Sequence, residues 1–407
     1  MKTRPFEVPE EAVWAAWMDV RANDGSAGID AVGIEEYEKD LRNNLYKLWA
    51  RMSSGSYMPP PVLLVEIPKK GGGKRPLGIP TVSDRVAQTV VKQAMEPEID
   101  KIFYADSYGY RPGKSAIEAV AICRKRNWKY NWVLDLDIKG FFDNIPHDLL
   151  MKAVERHTSC KWHILYIKRW LEAPMQRRNG EQTERPKGTP QGAVISPLLA
   201  NLFLHYCMDS WLKIKYPQCA FERYADDAVI HCKTEAEAQE LKEALGKRLE
   251  ECGLQMHPEK TKIVYCKDGS RKGDYPNRKF DFLGYGFKPR AAKTKHGHMF
   301  TGFLPAISDK ASTSIRGKIK ECKTLQLPNS ELPDIAKELN PKLTGWINYY
   351  GEFYKSKLEH TLTTVTFNLI AWARRKYKKL RVSFNAAMEW VGNVRKSQPQ
   401  LFKHWNM

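Results

Sequence analysis

The chain contains no apolar run long enough to cross a membrane, and its first residues, MKTRPFEVPEE, lack the apolar core of a secretion signal. The expectation is a soluble, cytoplasmic protein with no membrane partner. Cysteine is present but never grouped: the eight, at 123, 160, 207, 219, 232, 252, 266 and 322, include no C-x-x-C spacing. That scatter argues against a structural zinc site and for reduced, buried thiols. Internal repeats and low-complexity linkers are also missing. Acidic residues are in short supply, with 47 Asp and Glu against 66 Lys and Arg, giving a net charge of +19. Such an excess selects a polyanionic partner, through charges that release counterions from phosphates. It sets the sign of the partner and leaves nucleic acid and anionic lipid both open. At 407 residues the chain is long enough for two or three packed units.

Local patterning predicts a mixture of helices and strands. Residues 8–21 read as an amphipathic helix, followed by a turn-rich stretch over 23–30 and a second helix over 34–53. VLLVEI (62–67) reads as a strand, 68–75 as a Gly-rich basic loop, and 77–79 as the returning strand. Helices are expected over 83–95, 114–126 and 147–172, with WVLDLDI (132–138) as a strand between them. After the loop Gly188-Thr189-Pro190-Gln191-Gly192, Ser196-Pro197 reads as an N-cap followed by the first helical residue. Two short strands flank Ala225-Asp226, a helix spans 235–252, FDFLGYGF (280–287) reads as one strand, and the rest, from about 305, as mostly helical. The class is α+β with a helical C-terminal part.

Transfer of a nucleotide to a growing strand uses two divalent ions about 3.5–4 Å apart. Hard Mg²⁺ takes oxygen ligands, so carboxylates from separate segments must converge on one point. The chain offers Asp137, which closes an apolar strand, and Asp226-Asp227, at the tip of a short hairpin. Each has an ordinary alternative: Asp in turns bonds to its own backbone, and Asp at a strand end caps the next helix. Asp135 shares a strand face with Asp137, so it too is open as a ligand.

Taken in order, the segments GSAGID (25–30), IPKKGGGKRPLGIP (67–80), YGYRPGKSA (108–116), LDLDIKGFFDNIPH (134–147), GTPQGAVISPLLANLFL (188–204), FERYADDAVI (221–230), HPEKTK (257–262), FLGY (282–285) and GWINYY (345–350) resemble the reverse transcriptase and maturase encoded by bacterial group II introns. The resemblance covers nearly the whole chain. It implies a right-hand polymerase: an N-terminal extension of the fingers (1–45), fingers and palm with an antiparallel sheet (46–290), and a helical thumb or maturase domain (291–375). A short basic segment (376–407) would follow as a remnant of a DNA-binding region.

By the same resemblance, Asp137, Asp226 and Asp227, with the backbone of Ile138, hold two Mg²⁺ ions, leaving Asp135 structural. Lys260, or Lys262 beside it, protonates the leaving pyrophosphate. Lys69 and Arg75 bind the triphosphate of a dNTP, Phe142 lies against its sugar and excludes a 2′-hydroxyl, and Gln191 and Ala225 complete the pocket. Arg111 and Gly192 are expected on the nucleic acid strand.

The tail adds charge with interleaved aromatics: from Thr361 to Met407 there are nine Lys or Arg, among them Arg374, Arg375, Lys376, Lys378 and Lys379, against a single acid, Glu389. Cations beside aromatic faces suit structured RNA or unstacked strands, while a core-facing aromatic stripe under a solvated basic face explains the same pattern. The partners implied are a group II intron RNA, an RNA template with a DNA primer, target DNA and dNTPs; a homodimer is left open. The function implied is copying of the intron RNA into DNA during retrohoming, together with help in splicing. No paired cysteines of an H-N-H endonuclease are present in 1–407, so bottom-strand cleavage is not expected and the primer would come from elsewhere. Two other roles stay open: a domesticated enzyme of phage defence or CRISPR adaptation, and a splicing factor that no longer polymerises. The GSAGID and Gln191 segments favour the intron type, and retention of the carboxylates favours an active enzyme.

Overall fold

A computed structural model describes residues 5–68, 73–294 and 296–407. Among the described residues eleven strands are formed: β1 (Val62–Pro68), β2 (Lys74–Ile79), β3 (Trp132–Leu136), β4 (Met175–Gln176), β5 (Gln182–Thr183), β6 (Phe221–Tyr224), β7 (Asp227–Cys232), β8 (Lys262–Tyr265), β9 (Phe280–Phe282), β10 (Tyr285–Lys293) and β11 (Met299–Ile307). They make three sheets, ordered β2-β1-β4-β5, β6-β7-β3-β8 and β11-β10-β9. The chain divides into two units. One comprises Met1–Lys114, Leu136–Ala228 and Gln239–Thr261; the other comprises Ser115–Asp135, Val229–Ala238 and Lys262–Met407.

In the first unit, β1 and β2 pair as an antiparallel hairpin from Leu63 opposite Ile79 to Pro68 opposite Lys74. The helix Val82–Ile102 starts where Thr81 caps it, its hydroxyl accepting from the Asp84 N–H. It buries Val82, Val86, Ala87, Val90 and Val91 almost completely. At roughly 25 cal/mol per Å² of apolar surface removed from water, such a stripe fixes the helix against its neighbours. The expected helix over 34–53 is two, Ile34–Glu38 and Leu41–Ser54, and the second ends at Gly55 in the left-handed region (φ 75). The helix after the loop 188–192 begins at Ser196 with Ile195 as its N-cap. Ser196 is therefore inside the helix, and its hydroxyl bonds Thr189 instead of capping. That helix ends in a π-turn, His205–Asp209.

In the second unit, β3 and β8 are antiparallel, with Trp132 opposite Tyr265 and Asp135 opposite Lys262. The segment 280–287 is not one strand. Leu283 and Gly284 both have positive φ, 51° and 79°, so the chain reverses there and Tyr285 pairs back with Phe282. β10 then runs on to pair with β11 from Tyr285 opposite Ile307 to Lys293 opposite Met299.

The helices Asp309–Lys320, Leu332–Tyr350, Lys355–Lys376 and Phe384–Ser397 follow. Ser308 and Ser383 cap two of them, and Glu331 with Asp334 forms a capping box on a third. They share one buried apolar cluster that includes Ile335, Leu339, Leu343, Leu362, Val365 and Trp372. Residues 376–407 do not stand apart from it, because Ala387, Val391, Phe402 and Trp405 are buried in the same cluster. Among the described residues, no helix is long and apolar enough to cross a membrane, and all eight cysteines are free.

Candidate functional site

The connection between β6 and β7 is two residues long, and Ala225 within it has φ 58. A left-handed Ala costs about 1–2 kcal/mol, so the surroundings must hold it. Gly109 lies so close that a Cβ there would come within 2.4 Å of the Ala225 nitrogen. Only glycine leaves room for that approach, a role hidden in YGYRPG. Asp226 is partly buried at the turn. Its carboxyl is raised above the usual aspartate range, chiefly by burial; its own backbone hydrogen bond lowers it, Asp137 raises it again, and Arg75 and Lys260 pull it back. Two acids and two bases thus act on one another at this point. Asp227 opens β7, also half-buried.

Asp137 reaches the same place because β3 stops at Leu136. Its backbone is then taken over by the segment 257–261. The Asp137 N–H donates to the Thr261 hydroxyl (3.3 Å), and the Asp137 carbonyl accepts from the His257 N–H (2.8 Å) and the Thr261 hydroxyl (3.2 Å). Ile138, next in the chain, bridges Met256. That clamp places Lys260 beside the carboxylate, at 3.3 Å. With side chains 60% and 40% exposed, the pair adds little stability; it locates the ammonium. Lys262 instead lies across from Asp135 on β8.

Three further segments of the first unit, carrying Phe142, Gln191 and Arg75, are tied to one another. The short helix Phe141–Asn144 holds Phe142 half-buried, its ring edge-on to Phe141 at 5.2 Å. The loop 188–192 is tied to it: the Thr189 N–H donates to the Phe142 carbonyl (2.7 Å), the Gly188 N–H to the Ile145 carbonyl (2.7 Å), and the Gln191 amide to Asp143 (3.3 Å). On its other side the loop meets β2, where the Gly78 N–H donates to the Gln191 carbonyl (2.7 Å). Gly192, at φ 111, leaves no space for a side chain, since a Cβ would lie 2.7 Å from the Gly78 carbonyl oxygen. Its glycine is thus explained by packing. Arg75, on β2, is exposed and close enough to Asp226 to affect its charge. Lys69 lies outside the described residues.

Arg111 is placed differently from the expectation. Its side chain is only 8% exposed and pairs with Asp100 at 2.6 Å. Its remaining donors go to the carbonyls of Tyr104 (2.7 Å), Ser107 (2.8 Å) and Asp100 (3.1 Å), and the guanidinium sits 5.2 Å from the Phe103 ring centre. Every donor is spent inside the fold, so Arg111 clamps the 100–107 segment and has none left for a strand.

The basic tail splits the same way. Arg375 donates to the Leu325 carbonyl (2.6 Å), and Lys376 to the Ser330 carbonyl (2.7 Å) and to Glu331. Lys376 also lies 5.3 Å from the Trp372 ring. These two staple the helix end, while Arg374 donates to the Arg381 carbonyl (3.0 Å). Lys378 and Lys379 are exposed.

The donor set at the turn suits a hard divalent cation. It offers carboxylate oxygens from Asp137 and Asp226, the charge of Asp137 being one of the causes that raise the Asp226 carboxyl, with no soft sulfur or imidazole in their interactions as described. A divalent charge is what relieves that repulsion.

Residues 67–287 match the reverse transcriptase (RNA-dependent DNA polymerase) family, and residues 312–390 match the group II intron maturase-specific domain. Reverse transcriptase domains generally use divalent metal ions, in line with the donor set. Among curated proteins the chain is similar to Protein YkfC of Escherichia coli (strain K12), 32% identical over 296 residues, covering 63% of this chain and 74% of that protein. It is also similar to the group II intron-encoded protein LtrA of Lactococcus lactis subsp. cremoris, 32% identical over 216 residues, covering 52% of this chain and 35% of that protein. Among solved structures, telomerase from Candida albicans is 14% identical at a TM-score of 0.47, covering 89% of this chain and 65% of that one.

Proposed function

We propose, from the premise that the chain belongs to the reverse transcriptase (RNA-dependent DNA polymerase) family and carries a group II intron maturase-specific domain, that it binds a group II intron RNA, assists its splicing and copies it into DNA. The observation that carries this reading is the meeting of Asp137 and Asp226 with Lys260 and Arg75 at one turn, inside the segment that matches the polymerase family. Asp137 and Asp226, with Asp227 and the Ile138 carbonyl, would hold two Mg²⁺ ions. Bound there, the ions supply Lewis-acid stabilisation of the attacking hydroxyl and the leaving phosphate.

The protein's own groups do the rest. Arg75, exposed beside the turn, contacts the triphosphate through a fork that matches two phosphate oxygens; Lys69 is proposed alongside it. Lys260 carries a proton beside the same carboxylates and delivers it to the leaving pyrophosphate. Phe142 presents its ring to the sugar and excludes a 2′-hydroxyl. Gln191, pinned between Asp143 and Gly78, positions the incoming nucleotide next to Ala225. RNA is the template, held by exposed cations such as Lys378 and Lys379. Target DNA and a second copy of the chain are proposed partners.

Primer extension on an RNA template, run with dNTPs and with rNTPs, tests the reading. The wild type is expected to extend with dNTPs. Asp226→Ala is expected to lose at least about three orders of magnitude in rate while RNA affinity stays within a few fold. Phe142→Ala is expected to incorporate rNTPs about tenfold or more better relative to dNTPs, a loss of roughly 1.4 kcal/mol in discrimination. A wild type that binds intron RNA but extends no primer would leave a splicing-only protein.

A further inference from the structure

The turn that carries Asp226 rests on one buried guanidinium. Arg223, two residues before Ala225, has no exposed side-chain surface, and neither has its partner Asp209. It sits in β6, whose first three positions are buried, where an arginine is tolerated only if its donors are satisfied. All five are. Nε donates to Asp209 Oδ1 (2.8 Å), while Nη2 donates to Asp209 Oδ2 (2.6 Å) and the Ser107 hydroxyl (2.9 Å). Nη1 donates to Asn201 Oδ1 (2.8 Å) and to the carbonyl of Ala225 (3.1 Å). The last of these bonds reaches the catalytic turn itself, at the residue with the left-handed φ.

A second layer orients the first. The Asn201 side-chain amide donates to the Gly109 carbonyl (2.6 Å), and Gly109 is the residue pressed against the Ala225 nitrogen. Asn201 therefore links the guanidinium to the other backbone segment touching the turn. That segment runs along β6: the Tyr108 N–H donates to the Arg223 carbonyl (2.8 Å), and the Arg223 N–H to the Asp106 carbonyl (2.9 Å). Asp209 lies at the end of the π-turn His205–Asp209, an irregularity that re-aims side chains at the cost of regular helix bonding.

We infer that Arg223 is a positioning residue for the polymerase reaction: its fork, aligned by Asp209 and Asn201, holds the Ala225 carbonyl and so keeps the Asp226 carboxylate where it meets Asp137. The inference rests on the polymerase reading above. A fully bonded arginine could serve the fold anywhere; here one of its five bonds ends on the turn, and Asn201 spans both the fork and the glycine that packs on it. Lysine could keep the charge at this position but not the planar fork.

The test uses the full-length chain in primer extension on an RNA template with dNTPs and Mg²⁺, with melting temperature and RNA affinity measured alongside. Three variants are compared: Arg223→Lys, the pair Arg223→Met with Asp209→Leu, and Asn201→Ser. The paired variant removes both buried charges at similar volume, the change that buried ion pairs best survive. Asn201→Ser leaves the ion pair intact. Expected are RNA affinity and dNTP KM within about threefold of wild type, kcat lower by on the order of 10²-fold, and a higher Mg²⁺ concentration for half-maximal rate, as a misplacement of about 1 Å would produce. If the Arg223 variants fail to fold, Asn201→Ser decides by the same kcat-against-KM split. A folded variant whose kcat stays within about threefold overturns the inference, as does a kcat loss that only tracks the unfolded fraction. A wild type that extends no primer overturns the polymerase reading and this inference with it; an active wild type with equally active variants overturns the inference alone.

Discussion

In the first unit Asp84, Arg85, Asp209, Glu222 and Arg223 are buried, while the second unit buries no Asp, Glu, Lys or Arg among the described residues. Its helical core is Leu339, Leu343, Leu358, Leu362, Val365, Leu369 and their neighbours, with the hydroxyls of Ser312 and Thr361 bonding each other at 3.1 Å. The difference follows from what each interior has to hold. Regular helices satisfy their own backbone, so apolar packing is enough to dock them. In the first unit the chain also runs through irregular segments whose carbonyls and N–H groups need partners. Arg85 donates to the carbonyls of Pro80 (3.1 Å), Asp24 (3.3 Å) and Ser26, anchoring the GSAGID loop. Gln88, donating to Asp84 (2.9 Å), accepts from the Ile195 N–H (3.3 Å). Arg223 donates to the carbonyl of Ala225 in the turn between β6 and β7 (3.1 Å). Charges are buried where backbone geometry must be specified, and left out where only volume must be filled.

This contrast can be broken at three points. The largest effect is expected from Leu339→Ala in the apolar interior, at about 2–5 kcal/mol. Chemical denaturation would measure it, and a loss below about 1 kcal/mol would mean that the helical core is not the support it looks to be.

The next concerns the charged interior. Burial lifts the Asp84 carboxyl from its ordinary value to about 6, even though the Tyr57 hydroxyl, the Trp170 indole N–H and the Gln88 amide all donate to it. A carboxyl that holds its proton more tightly folded than unfolded favours folding at low pH. Its contribution falls as pH rises from about 4 through about 6 and is flat above. The melting temperature of the wild type relative to Asp84→Asn should therefore drop by several degrees between pH 4.5 and 7, and then level off. A difference that does not move with pH would remove the buried charge from the comparison. Glu338 in the second unit is the counter-case: burial raises it, but the Thr324 N–H and hydroxyl, the Cys322 thiol and the Lys323 N–H lower it further, to about 2. Glu338 stays ionised across that range.

The smallest effect belongs to the exposed cations. Replacing Lys378 and Lys379 by Ala should weaken RNA binding several fold and flatten the slope of log affinity against log salt by about 1.5. An unchanged slope would place the RNA contacts elsewhere.

Several elements were legible in local pattern. The helix expected over 114–126 forms as Ala116–Arg126, capped by Ser115, and the one over 235–252 as Glu235–Glu251. The strands around Ala225-Asp226 and the return strand after the Gly-rich loop are where period and turn chemistry put them. The reverse transcriptase and maturase character read from the motifs agrees with the family matches. What escaped depends on backbone conformation and on side-chain partners that the motifs do not display. FDFLGYGF looks like a strand by composition, yet the left-handed Leu283 folds it into a hairpin. Arg111 looked like a strand contact because an arginine in a loop advertises nothing about Asp100 or the nearby carbonyls that absorb it. In the tail, the core-facing aromatic stripe expected from sequence is present in the buried Phe402 and Trp405, and it joins the segment to the helical core, where the domain boundary drawn at 376 had set it apart.

By itself, the sequence determined the kind of chemistry: which segments carry carboxylates, which carry cations and glycines, and the order in which they come. Those are properties of composition and local backbone preference, and they are present before folding. Tertiary structure alone decided that Lys260 stands beside Asp137 while Lys262 lies opposite Asp135, and that Arg223 spends a hydrogen bond on the turn. The physical reason is range. Coulomb attraction and hydrogen bonding act over a few ångströms of space, and the groups that settle these choices are separated along the chain by up to 124 residues.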